Sequence, residues 1–280
     1  IALNGTTRNL ATGIAQADPL LAGSGSIRVE ARRDETGLFA DVLRIATAAA
    51  QINGTAQLAS GTGQADLDIV LNDTALLLPG VEGQSDIAVT AVQGPQGWDI
   101  DLNGTIPDVA QVQFDGTVDP EAQNGPSVIG ALEAQVSRLS PFSELAGRDL
   151  SGAANLSVNG QGVVGAQTFE ATVEARTTNV SVSIDAVDAL LDGVSDLSFT
   201  ARRGMDKRFE LQDLKYDGLG TIRLDGTVTG SSLEDAEVDG KLLVDVPNLA
   251  PLSGIAGRQM SGSVLANVDA TGQVMQGPLT

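Results

Sequence analysis

The stretch SIRVEAR, Ser26 to Arg32, sets Ile27, Val29 and Ala31 in alternation with Ser26, Arg28, Glu30 and Arg32. A period of two places the apolar side chains on one face of an extended strand and the polar ones on the other. The same rhythm returns along the chain. DLDIVLN sets Leu67 and Ile69 against Asp66 and Asp68, and WDIDLNG sets Ile100 and Leu102 against Asp99 and Asp101. Ile87 with Val89, Val112 with Phe114, Val173 inside FEATVEA, Val182 with Ile184, Leu197 with Phe199 and Ile222 with Leu224 continue it. Alternation of this kind belongs to antiparallel sheets with one dry and one wet face, not to parallel sheets buried on both. The expected fold class is all-β.

Composition agrees. The chain has 280 residues, 33 of them glycine, and only 3% aromatic residues, with single copies of Trp98 and Tyr216. Short β-branched runs punctuated by Gly, Asn, Asp, Ser and Thr are the make-up of many strands joined by many turns. A net charge of −20 argues against nucleic acid and against anionic headgroup surfaces, both of which need clustered Lys and Arg. With neither His nor Cys, thiol nucleophiles, His-based triads and Cys/His metal sites are excluded. Ile1 follows no basic or apolar leader, and no apolar run approaches ~18 residues. The chain reads as an internal fragment of a longer protein.

The phrase SELAGRDLSG, Ser143 to Gly152, returns 110 residues later as SGIAGRQMSG, Ser253 to Gly262. At the same offset Asp86–Ala91 matches Asp196–Ala201, and Phe114–Val118 matches Leu224–Val228. An earlier copy lies 60 residues upstream, where Ile27, Val29 and Ala31 match Ile87, Val89 and Ala91. Between strand groups sit short segments with helix start and stop signals: DPLLAG, DALLDG, SPFSELAG and APLSGIAG. Their centres, near residues 20, 77, 143, 190 and 253, divide the chain into units 18–73, 74–138, 139–185, 186–248 and 249–280, the last incomplete. Asp18, Asp188 and Ser140 are the expected caps. The recurring hydrophobe–Asn/Asp–Gly at 52–54, 102–104, 114–116 and 224–226 is expected to form tight turns.

Catalytic chemistry has little to work with. The pairs Asp66/Asp68 and Asp99/Asp101 fall on the polar phase of their strands and face solvent. LAGSGS, Leu21 to Ser26, precedes no long helix and makes a poor phosphate loop. No active site, metal site or cofactor is expected.

The phrases LSPFSELAGRDLSG (139–152) and LAPLSGIAGRQMSG (249–262), the ALL-x-G corner and the strands closing on hydrophobe–Asn/Asp–Gly–Thr together resemble the TamB/AsmA-like family of bacterial envelope-spanning proteins. As pattern the resemblance covers essentially the whole chain, and it is most specific over 139–162 and 249–272. It implies an elongated antiparallel sheet curled into a trough (a "β-taco") with short helical corners, in one continuous array. It implies the periplasmic part of a protein of a Gram-negative bacterium, anchored in the inner membrane by a segment outside this chain. Implied partners are phospholipid acyl chains and an outer-membrane barrel of the TamA type; nucleic acid is not among them. The implied activity is conduction of phospholipid between the two membranes, in support of outer-membrane biogenesis. The groove would be lined by Ile27, Val29, Leu67, Ile69, Ile87, Val89, Ile100, Leu102, Val112, Phe114, Val173, Val182, Ile184, Leu197, Phe199, Ile222 and Leu224. Two other readings fit the residues: a chaperone-like module for outer-membrane β-barrel proteins working with the same type of partner, and a secreted β-solenoid or adhesin stalk with a filled core.

Overall fold

The computed structural model of the chain describes residues 1–11, 18–59, 62–76, 78–230 and 236–273. The fold is all-β and antiparallel, not closed into a barrel, with a few short helices. The chain forms two compact units, Ile1–Asp119 and Pro120–Thr280. This division cuts the repeat expected at 74–138, leaving its first three strands in one unit and its fourth in the other.

The first unit holds β1 (Ala2–Arg8), β2 (Ser24–Arg33), β3 (Gly37–Ala46), β4 (Ala50–Ala59), β5 (Thr62–Leu71), β6 (Ser85–Gly94), β7 (Gly97–Ile106) and β8 (Ala110–Asp119), with 3₁₀ turns at Asp18–Leu21 and Thr74–Leu76. The second holds β9 (Ser127–Val136), β10 (Ser151–Val163), β11 (Thr168–Ser181), β12 (Val194–Arg203), β13 (Phe209–Asp217), β14 (Thr221–Gly230), β15 (Glu237–Val246) and β16 (Val264–Gln273). Its helices are α1 (Ser143–Ala146), α2 (Asp185–Leu191) and α3 (Ser253–Ala256). The 3₁₀ turns Ser140–Phe142 and Ala250–Leu252 lead into α1 and α3. Within each unit every strand pairs antiparallel with its neighbours in sequence.

The direction of the chain sorts the connections. Successive antiparallel strands reverse, so all links that leave odd-numbered strands reach the same margin of their unit. The helical corners follow β1, β5, β9, β11 and β15. In each unit, therefore, the helical corners among the described residues all lie at one margin.

The repeated phrase is one corner built twice. Gly147 and Gly257 end α1 and α3 in the left-handed conformation, at φ 64° and 61°, where a side chain would strain the backbone. The Ser143 hydroxyl accepts the Leu150 N–H at 3.0 Å, and Ser253 accepts that of Met260 at 3.0 Å. The Leu139 and Leu249 N–H groups both donate, at 2.9 Å, to the carbonyls of Gly152 and Gly262. Each corner, 139–152 and 249–262, thus closes on itself through polar groups that only this spacing brings together.

Several local expectations are corrected. The Asn/Asp-Gly steps are not turns: Gly54, Gly104, Gly116 and Gly226 lie inside β4, β7, β8 and β14. At Gly54 a Cβ would come within 2.3 Å of the Asp66 carbonyl oxygen and 2.6 Å of Leu67 Cδ2, so close approach of the next strand is what selects glycine there. Ser140 makes no side-chain cap, and that position falls to Leu139. Asp188 lies inside α2 instead of capping it. Its carboxylate reaches back to accept the Val182 N–H and the Ser181 hydroxyl, both at 2.7 Å. Residue 77, the centre expected for the second corner, lies outside the described residues.

Full burial is concentrated at the helical margin. In the first unit Leu21, Ala49, Ala50, Leu71, Val81, Val109 and Ala110 are the buried apolar residues, all beside links that leave odd strands. In the second, Val180, Tyr216, Leu224 and Val246 lie there too, and Ala236 is the exception. The equivalent Ser85 and Ser195, 110 residues apart, are buried at the starts of β6 and β12. Ser85 bonds the Thr74 hydroxyl at 2.6 Å, and Ser195 donates to the Leu190 carbonyl at 3.2 Å.

Candidate functional site

Register converts the alternation into rows. Residues paired across antiparallel strands share a face, so the inward side chains line up perpendicular to the strands. In the first unit one row runs Ile27, Ile45, Ile52, Ile69 and Ile87, then Gly104 and Val112. Beside it runs Leu3, Val29, Leu43, Gly54, Leu67, Val89, Leu102 and Phe114. In the second unit Ala134, Leu156, Ala175, Leu197, Tyr216, Ile222, Val244 and Ala266 form one row. Leu132, Val158, Val173 and Phe199 begin the next, which Leu214, Leu224, Leu242 and Val268 continue past a bulge at Asp213 (φ 54°).

These rows are not under a second layer. Of the sequence-derived groove residues, Ile27, Val29, Leu67, Ile69, Ile87, Val89, Ile100, Leu102, Val112, Phe114, Val173, Leu197, Phe199 and Ile222 are all half-buried, and only Leu224 is fully buried. In a β-sandwich the inner face is the core and such residues lose nearly all contact with water.

Two of the proposed lining residues do not sit on the sheet. β11 ends at Ser181, because Asn179 (φ 48°) and Ser183 (φ 57°) turn the chain out of the strand. Val182 is half-buried in the corner, and Ile184, 42% exposed, is the residue before α2. Conversely, Leu43, Ile45 and Ile52 belong to the apolar face although the sequence reading passed over them. A bulge in β3 between Ala40 and Leu43 shifts the phase of alternation and hides Leu43 and Ile45, while Ile52 is hidden by the Asn-Gly step that follows it.

The opposite face is polar. Asp99 accepts the Thr117 hydroxyl at 2.7 Å, and Asp101 accepts an amide N–H of Asn103 at 2.6 Å, so the paired carboxylates serve as neighbours on a wet surface. A recess of about 630 Å³ on this face of the second unit includes Glu133, Arg176, Asp196, Lys215, Asp217 and Arg223, with Arg176 and Asp196 paired at 3.3 Å. Among the described residues no group of three or more carboxylates could hold a metal ion, and no helix is long and apolar enough to cross a membrane. Comparisons with protein-family models, curated proteins and solved structures return no match to the chain.

Proposed function

We propose that the chain is a segment of a TamB/AsmA-like periplasmic bridge whose apolar face conducts phospholipid between the inner and outer membranes. The observation that supports this reading is the set of aliphatic rows that cross every strand of each unit and stay half-open to solvent. An acyl chain of about 16 carbons faces on the order of 13 kcal/mol in water, at roughly 0.8 kcal/mol per methylene. A continuous wall of Ile, Val and Leu lowers that barrier along its whole length and, having no polar handles, holds a tail without trapping it at one point. The outward face, with its excess of Asp and Glu, suits an aqueous compartment.

Photo-crosslinking in cells tests it. A benzophenone amino acid replaces Phe114 or Phe199 on the apolar face, with Asp115 and Asp225 as outward controls. Adducts of labelled phospholipid at the first pair only are the expected outcome. Adducts to outer-membrane polypeptides at those positions would transfer the reading to the chaperone class. Absence of adducts at all four would end the conduit reading for this segment.

A further inference from the structure

The apolar face carries almost no charge, and where it does the position repeats. Among all inward positions of β1–β8 the one charged residue is Arg33, paired opposite Leu38; among those of β9–β16 it is Arg203, paired between Phe169 and Phe209. The two arginines are equivalent by the repeat offsets of 60 and 110, which pass through Gln93. All three are the last inward residue of the strand that opens a repeat, at the hairpin margin, away from the helical corners.

Neither arginine is neutralised. On the polar face Arg28, Arg32 and Arg176 pair with carboxylates while, among the described residues, Arg8, Arg44, Arg202 and Arg223 stand in water without one, so what distinguishes Arg33 and Arg203 is their place on the apolar face. Among the described residues Arg33 and Arg203 have no acidic partner, in a chain with 36 Asp and Glu. The Arg203 Nε is buried with no hydrogen-bond acceptor, and its guanidinium lies 5.0 Å from the centre of the Phe209 ring. A buried N–H of a cation without an acceptor is costly unless something supplies one. The ring contact only partly offsets that cost.

The hairpin-margin rows of the two units hold three of the few aromatic residues, Trp98 in the first and Phe169 and Phe209 in the second. Phe169 and Phe209 pack with centroids 6.1 Å apart, and Trp98 lies opposite Gln93 and covers Gly63. Leu38 and Leu58, next to Arg33 in the row, are 51% and 55% exposed. Aromatic rings beside a cation at the border of an apolar surface form the arrangement that meets lipid headgroups. Length fits as well. From Arg203 to Leu197 the strand covers about 20 Å, enough for a tail that spans the ~15 Å half-thickness of a bilayer's hydrocarbon.

We infer that Arg33 and Arg203 are headgroup-binding residues: each receives the phosphate of a phospholipid at the hairpin margin while the tails lie along the strands toward the helical corners. The inference rests on the lipid-conducting reading and assigns the place on the sheet where the phosphate head is held. Guanidinium matches phosphate oxygens through parallel N–H donors, and Arg203 Nε would gain its missing acceptor. Gln93 keeps a neutral donor at the intervening position, which favours transfer over tight capture.

The test uses the purified chain and two fluorescent probes of identical tails, phosphatidylglycerol and diacylglycerol, which differ in the phosphate headgroup. Wild type is expected to bind the phosphatidylglycerol probe about tenfold more tightly. The double variant Arg33→Gln/Arg203→Gln should lose that preference while keeping its affinity for diacylglycerol, and Arg203→Lys should retain part of it. Equal affinities in wild type, or a parallel loss for both probes in the variant, would overturn the assignment and leave the conduit standing. Competition by free glycerol phosphate as effective as by the lipid would also overturn it. Failure of wild type to bind either probe would instead remove the lipid reading itself.

Discussion

Gly54 shows how one residue's identity is decided by a neighbour twelve or more positions away. Asn-Gly is the local signature of a tight hairpin, and nothing within a few residues of Asn53 says otherwise. Only the approach of β5, with Leu67 folded over the glycine, reveals a strand interior. Local sequence therefore misplaced the turns while placing most inward residues correctly, because facial alternation is written in adjacent residues and cross-strand crowding is not. Arg33 and Arg203 were visible in principle: both share the phase of the apolar set and both obey the repeat offsets. Gly54→Val should cost about 1–3 kcal/mol through overpacking and lower Tm by about 5 °C. Gly5→Ala, where no atom lies within 4 Å of the added methyl, should shift Tm by less than about 2 °C. Thermal unfolding followed by circular dichroism checks both.

At the scale of elements, the corners do what strand pairing cannot: they hold a margin of the sheet closed. The corner between β11 and β12 depends on Asp188, whose carboxyl is held below its usual 3.8, chiefly by the Val182 N–H and then by the Ser181 hydroxyl. With the folded value below the unfolded one, the carboxylate's contribution is complete above the unfolded pKa and disappears as pH falls through the folded one. Asp188→Asn should therefore lower Tm by a constant amount above ~pH 5, with the difference from wild type closing at more acidic pH. A Tm series against pH reads it directly. The Tyr216 hydroxyl ties the same corner to the β13–β14 turn, donating to the Leu190 carbonyl and accepting the Leu219 N–H. Tyr216→Phe leaves the half-buried Leu219 N–H without that acceptor and the Leu190 carbonyl with Ser195 as its side-chain donor, and should cost about 1 kcal/mol in urea unfolding. Helical phrases with their Pro and Gly punctuation were readable in sequence; Asp188 inside its helix was not, because its partners precede it and depend on the left-handed Ser183.

Across the whole molecule, charge works against folding. Thirty-six acidic and 16 basic side chains leave −20, and most of the excess lies on the wet side of sheets that bury little. Ionic strength shortens the reach of that repulsion to ~10 Å at 0.1 M salt. Raising NaCl from 0.05 to 0.5 M is thus expected to raise Tm, whereas a fold held by its surface ion pairs would lose stability over the same range. All-β class and repeat organisation were readable because composition, turn residues and period agree; the division into two compact units left no mark in local pattern.

Pairing only with the strand just made has a further result, for how such a molecule comes into being. Within each unit every ladder closes a loop between consecutive strands, so contact order is low and each new strand can zip onto the one before it as soon as both are free to pair. Growth of this kind is quasi-one-dimensional, with stability summed over nearest neighbours. Extra repeats can accordingly be spliced in without redesigning what came before, and pulling on an end would peel strands off one at a time instead of unfolding a unit in a single step.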